Sequence, residues 1–417
     1  MANNLKLQSI MLIIGVVLIS NFQTFAQVDG NYEENQKKAY AARTVEECQY
    51  SLQFCNMALK QVPNHPVLYY MAARLNAQIG NNDLALTQLK KATELGYNTK
   101  MLFNEIHHLN DSAFFAFKDN ETFIEIIKAL EKTENPVHRS EIAITIKDKE
   151  LNPEGICYDS VEKMFYLGSI NKQKIIKVDS SGKSTDFTKE GQDGLHTVLG
   201  IHIDPVRRML WAVSCSEERS EIYKYNLSSG ELIKKYFLSP LPNGKKRFFN
   251  DLLIHPNGDI YITGGNSIYT ISQSSDKLER FLTDKSFFGF NGITHSDNEQ
   301  IIFVSDYYIG IYKIDIKTKS FALLTHEPEF NLFGVDGLYF LNNQLYAVQD
   351  GINTIDKFSL NEDATHIKSC EIFERNTPYL YFPTTGVLVD DHFYFIADTQ
   401  AKAYKQEGVI IMRVSIK

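Results

Sequence analysis

From residue 136 onward, apolar and polar positions alternate in short runs. The stretches ICYDSVEKMFYLGS, IHIDPVRRMLWAVS, LLIHPNGDIYITG, ITHSDNEQIIFVSD, LYFLNNQLYAVQD and VLVDDHFYFIAD repeat one pattern. Each is a strand, a polar turn and a second strand rich in aromatics. A third and a fourth run follow in most units, as in IGIYKIDIKTKSFALL. The residues just before the first strands are 154, 199, 250, 291, 336 and 385, spaced by 45, 51, 41, 45 and 49. That period, with four strands per unit, predicts a mainly β fold, a six-bladed β-propeller over 138–417. The early run SEIAITIK (140–147) has no unit of its own. It is expected to complete the last blade beside VIIMRVSIK (409–417), closing the ring. The Asn-Gly of HPNG reads as a tight type I′ hairpin turn.

Before residue 136 the period changes to that of helices. NHPVLYYMAARLNAQIG and NNDLALTQLKKATELG carry apolar or small residues at helical spacing. They suggest a tetratricopeptide-like unit within a small α-helical domain spanning 31–134. VEECQYSLQFCNMALKQ would be the second helix of an earlier repeat, and 117–132 a closing helix capped by Asn120. Such a region either docks a protein partner or caps the neighbouring domain. At the N-terminus, Lys6, the apolar run Ile10–Ile19 and Thr24-Phe25-Ala26 form a signal peptide pattern over 1–26. The protein is therefore expected to be exported, periplasmic or extracellular, with no membrane span after cleavage.

Composition narrows the partners. Net charge is −8 with no long basic run, which argues against nucleic acid. Five cysteines, an odd number without a CxxC unit, predict free thiols rather than a disulfide framework or a zinc-thiolate site. No G-x-S-x-G elbow and no phosphate loop is present.

The chemistry is expected at the six equivalent positions, Glu154, Leu199, Asn250, Asn291, Asp336 and Thr385. In a propeller these residues converge on the mouth of the central channel, and five of the six bear oxygen. Carboxylates and amides aimed at one axis repel or stay unsatisfied unless a hard divalent cation fills the middle. By strand alternation Asp251 points away from its neighbour Asn250 and is read as structural, as is Asp306. His196, in the loop GQDGLHTV, could reach the channel as a base or substrate contact, although such a histidine is more often a surface residue. His202, His255, His295 and His392 read as solvent-facing.

NPEGICYD (152–159), FNDLLIHPNGDIYITGG (249–265), FNGITHSDNEQIIFVSD (290–306) and VDGLYFLNNQLYAVQD (335–350) together resemble the gluconolactonase/regucalcin family of six-bladed propellers, and more loosely the paraoxonases. The resemblance covers roughly 138–417. It implies one divalent cation at the channel mouth, Ca²⁺ before Zn²⁺, Mg²⁺ or Mn²⁺, with Glu154, Asn291 and Asp336 as ligands. Asn250 matches a position touching the metal or the substrate. Arg247 stands three residues before Asn250, where members acting on sugar lactones often carry arginine two before. Phe290 replaces the usual proline. The implied activity is metal-dependent hydrolysis of a small-molecule lactone or ester. Asp336 and Asn250 would be the catalytic residues, and Asn250, Arg247 and His196 the substrate contacts. The alternative is a non-catalytic propeller that binds a small ligand or a protein, with the helical region as docking module.

Overall fold

The computed structural model describes residues 44–417 apart from 98–111, 134, 242, 243, 245, 328, 329 and 399–407. The expected signal segment lies outside the described residues. Six sheets, one per repeat and antiparallel except where Thr325–His326 runs parallel to the outer strand of blade 5, make a six-bladed propeller. Blades 1 to 5 begin with inner strands Pro153–Asp159, Thr197–Asp204, Leu252–Ile254, Phe290–His295 and Val335–Leu341. Blade 6 is built from Gly386–Val389, His392–Asp398 and Val409–Ser415, and its outer strand is Glu141–Ile146. The first long propeller strand thus pairs with the last, Ile146 opposite Val409, as the unmatched run at 140–147 predicts. Closure in this way leaves no blade short of an edge.

Side chains in the turns fix the inner hairpins. Asp159 Oδ1 accepts from the Val161 N–H (3.1 Å), and Asp204 Oδ1 from those of Val206 and Arg207 (3.1 and 2.9 Å). Arg208 ties blade 2 to blade 1 with a bidentate pair onto buried Asp159 (2.6 and 2.7 Å). HPNG differs from expectation. The Gly258 N–H donates to His255 O (2.8 Å), and only Gly258 is left-handed (φ 94°). The turn is therefore of type I followed by a left-handed glycine, because proline at its second position fixes a negative φ. Adjacent left-handed residues occur instead at Asn342 (φ 53°) and Asn343 (φ 59°), where Leu341 pairs with Gln344.

The helical region contains α1 (Val45–Gln61), α2 (Pro66–Gln78), α3 (Asn82–Glu94), a 3₁₀ turn at Ser112–Phe117 and α4 (Glu121–Thr133). Thr44 and Glu47 form a capping box on α1. Asn120 Oδ1 caps α4 by accepting from the Phe123 N–H (3.0 Å). Cys48 and Cys55, both on α1, are buried and in no disulfide, and the Cys48 thiol donates to Gln78 Oε1 (3.4 Å). The helices share one apolar core with Tyr307, Tyr308, Phe333 and Ile352 of blades 4 and 5. Beyond α4, Val137–His138 runs along the outer strand of blade 5. There buried Glu374 takes hydrogen bonds from His138 Nδ1 (2.7 Å) and Ser140 Oγ (2.6 Å). Among the described residues no helix is long and apolar enough to cross a membrane.

Candidate functional site

The six equivalent residues sit where the inner strands begin. In blades 1, 2, 4 and 5 the strand pairing slips at this point, between Pro153 and Ile156, Val198 and Ile201, Phe290 and Ile293, and Val335 and Gly337. Such a bulge gives one strand an extra residue and re-aims its side chain. A glycine follows the equivalent residue in every blade except the third: Gly155, Gly200, Gly292, Gly337 and Gly386. At Gly292 a Cβ would lie 2.5 Å from Asp336 O and 2.6 Å from Leu338 N. This glycine lets blades 4 and 5 approach at the mouth. Gly292→Ala is expected to cost about 1–3 kcal/mol by overpacking, read as a lower denaturation midpoint; an unchanged midpoint would show that the contact is slack.

Blade 3 is the exception and answers the question of Asp251. Asn250 N–H donates to Thr263 O (2.8 Å), and Thr263 N–H donates to Asp251 O (2.9 Å). Two residues thus oppose one, so strand alternation is broken at this pair. Asp251 does not point away from the site. It stands against Gly200, its Oδ1 accepts from the Leu252 N–H (2.8 Å), and His202 Nε2 lies 3.5 Å away.

The structure brings the other candidates together. Asn250 Nδ2 donates to Asn291 Oδ1 (2.7 Å), and the Asn291 amide lies near enough to Asp336 to draw its pKa down. Glu154 and Asp336 are close enough to raise the pKa of Asp336. Thr385 Oγ1 donates to the Glu154 carbonyl (2.5 Å), so its hydroxyl joins blade 6 to blade 1. Leu199, the apolar member, is fully buried.

A fourth carboxylate, missed in the sequence, is Asp350, the residue that follows the second strand of blade 5, Gln344–Gln349. Glu154, Asp251, Asp336 and Asp350 are each at most 9% exposed. Burial, then Asp350 and Asp251, push Glu154 up to about 8. Burial, then Asp350, Glu154 and Asp251, push Asp336 well above the carboxylate range, while Asn291 draws it down. Burial raises Asp350 to about 7 against the opposing pull of the neighbouring Tyr307 phenol. One oxygen of Asp350, Oδ1, has no hydrogen-bond partner among the described residues. Asp306 is different: the Phe288 and Tyr308 N–H groups (2.7 and 3.2 Å) hold it, so it is structural as predicted.

Four buried acids, with no basic side chain paired to Glu154 or Asp336 among the described residues, form a site that favours a cation. The donor set is oxygen throughout, which suits Ca²⁺ or Mg²⁺. Among the described residues no three His, Cys, Asp or Glu side chains alone form a metal-holding group. The amide oxygens therefore belong to any ligand set here.

The remaining candidates stand apart. Arg247 is engaged with Ser239 O (2.9 Å) and the Tyr269 hydroxyl (3.3 Å) of blade 3. His196 is exposed, its backbone N–H donating to Ser214 Oγ (2.9 Å). His255 is buried rather than solvent-facing, with Nε2 2.9 Å from Glu299 O.

No known family's sequence profile matches the chain, and no curated protein matches it in sequence. Solved structures are similar in fold. A gluconolactonase of Xanthomonas campestris is 13% identical, with a TM-score of 0.50 over 67% of this chain and 96% of that one. A PQQ-bound aldose sugar dehydrogenase of Streptomyces coelicolor is 12% identical (TM-score 0.49; 66% and 97% covered). A calcium-binding regucalcin of Agrobacterium tumefaciens is 15% identical (TM-score 0.46; 66% and 96% covered). The first likeness establishes the propeller fold.

Proposed function

We propose that this chain is an exported, divalent-metal-dependent hydrolase of lactones or carboxylic esters. The observation that carries the reading is the group Glu154, Asp251, Asp336 and Asp350 beside the hydrogen-bonded amides Asn250 and Asn291. A purely structural channel mouth has no need of four buried acids, among which Glu154 and Asp336 are pushed up by burial and by their neighbours. Export rests on the pattern of Lys6, the apolar run and Thr24-Phe25-Ala26.

Glu154, Asn291 and Asp336 would hold the cation, with Asn250 and Asp350 next to it. A bound divalent cation supplies Lewis-acid polarisation of the substrate carbonyl and a more acidic water. Asp336 accepts the proton as water adds to the acyl carbon. Its burial among other acids favours the protonated form and makes it a competent base. The Asn250 amide has two N–H donors and gives one to Asn291. The second is free to donate to the developing oxyanion. The acyl C–O bond then breaks, the leaving oxygen takes up the proton, and a lactone opens to a hydroxy acid.

The test is metal analysis of the purified protein together with a panel of lactones and aryl esters, with and without EDTA. Bound divalent cation and EDTA-sensitive hydrolysis are expected. A protein that takes up no cation and is indifferent to EDTA would instead be a binding propeller.

A further inference from the structure

A cavity of about 320 Å³ lies between blades 2 and 3. Its wall on blade 2 is Met209 and Trp211 of the second strand, Met209–Cys215, and Lys224 of the third, Ser220–Asn226. On blade 3 it is Gly258 of the HPNG turn and Ile271, the last residue of the strand Ser267–Ile271. Inner strands begin at the mouth, so the turns that follow them, which supply Arg207 and Gly258, lie at the opposite end of the blades. The cavity is therefore separate from the acid group. Its volume is at the lower end of the range of ligand pockets, about 300–1,000 Å³.

The apolar floor is rigid. Trp211 is buried and stacks on Tyr236 (centroids 5.7 Å apart). Lys224 stands directly across the ladder from Trp211 and holds its Nζ 4.9 Å from the centre of that ring. The two acids of the lining each have a cation of their own. Asp204 Oδ2 accepts from Arg207 Nη1 (2.9 Å), and Asp276 Oδ2 from Lys234 Nζ (2.5 Å). The Tyr236 hydroxyl donates to the other Asp276 oxygen. Gly258 makes room for the first pair, since a Cβ there would stand 2.7 Å from Arg207 Cζ. Partial burial pushes the Asp276 carboxyl up, but Lys234, Tyr236 and, at longer range, Lys224 hold it below the usual carboxylate range. The Lys224 ammonium itself is in no ion pair and donates no hydrogen bond among the described residues. Three cations thus face two acids, and the one left over sits above an apolar floor.

We infer that this cavity binds a small organic monocarboxylate, with its carboxylate on Lys224 and its carbon skeleton over Met209, Trp211 and Ile271. A carboxylate gives the unused ammonium a charge-assisted hydrogen bond. A neutral ligand leaves that ammonium unused, and a second negative charge would face Asp204 and Asp276. Removing the skeleton from water against the floor supplies the rest of the affinity. The inference does not depend on the hydrolase reading.

Trp211 is the only tryptophan of the chain, so indole emission reports this cavity. The full chain is titrated with cyclohexanecarboxylate, with its uncharged carboxamide and with acetate, and calorimetry on the same three ligands covers binding that leaves the emission unmoved. Saturable binding of cyclohexanecarboxylate is expected, with the carboxamide and acetate each weaker by about tenfold or more. Lys224→Gln should weaken the carboxylate by about tenfold and leave the carboxamide unchanged, and Lys224→Arg should keep carboxylate binding. Equal affinity for carboxylate and carboxamide, or no saturable change in emission or heat, overturns the inference. The acid–amide comparison is made on the unsubstituted protein, so it decides the matter even if the variants fail to fold.

Discussion

Asp336→Asn is expected to lower hydrolysis by about 1000-fold or more, with kcat falling and KM little changed. Loss of a positioned general base alone costs about 100- to 10,000-fold, and the same change weakens the proposed ligand set. The folded protein offers a second readout with the opposite sign. Asp336 is buried beside Asp350, Glu154 and Asp251, and its pKa is raised. A carboxyl with a raised folded-state pKa stabilises least at high pH: ionised, it repels its neighbours in a dry site, and stability falls as pH rises through that pKa. An isosteric amide removes this repulsion. In EDTA at pH 8 the variant should therefore melt several degrees above the unsubstituted protein, and the gap should narrow at pH 5. In Ca²⁺ the order reverses. A cation at 100 times its Kd adds about 2.7 kcal/mol to the intact site and little to the variant. Retained activity, or a variant that melts lower in EDTA, would remove Asp336 from the site.

The propeller was legible because each blade repeats one hairpin, and repetition reports equivalent positions without any knowledge of contacts. Asn250, Asn291, Asp336 and Glu154 were found in that way. Asp251 was misread for a local reason. Alternation assumes regular pairing, and two residues opposite Thr263 break it. Asp350 was missed because Asp306 and Asp398 end the second strands of blades 4 and 6 in the same manner. The repeated aspartate was itself a signal. What separates Asp350 from Asp306 is that Asp350 Oδ1 has no partner among the described residues, whereas both oxygens of Asp306 accept from backbone N–H groups, one of them that of Phe288 in the preceding loop. The contact of the helices with blades 4 and 5 is equally invisible to local pattern, since a histidine before a proline reads only as a helix start.

That histidine, His65, sets the last expectation. It caps α2, with Nδ1 accepting from the Leu68 N–H (3.4 Å). Its ring is fully buried against Phe333 (centroids 4.7 Å apart) and Tyr308 (5.9 Å) of the propeller. Burial drives its pKa from 6.5 down to about 3. Between these values the unfolded chain binds a proton that the folded one refuses, so stability rises with pH through this window and is complete above it. Each pH unit inside the window is worth at most about 1.4 kcal/mol. His65→Phe keeps a ring for Phe333 but loses the cap, worth about 1 kcal/mol, and cannot titrate. The variant should be the less stable at pH 7.5 and the more stable at pH 4.5, so the two denaturation curves cross. The crossing should also appear locally, as faster amide exchange in α2 of the unsubstituted protein at pH 4.5. Parallel curves would mean that His65 is protonated in the fold, and that acid does not loosen the grip of the helices on blades 4 and 5. A crossing places the acid-sensitive joint directly against Phe333 and one ring away from Tyr307, so the helices would brace the wall of the proposed site.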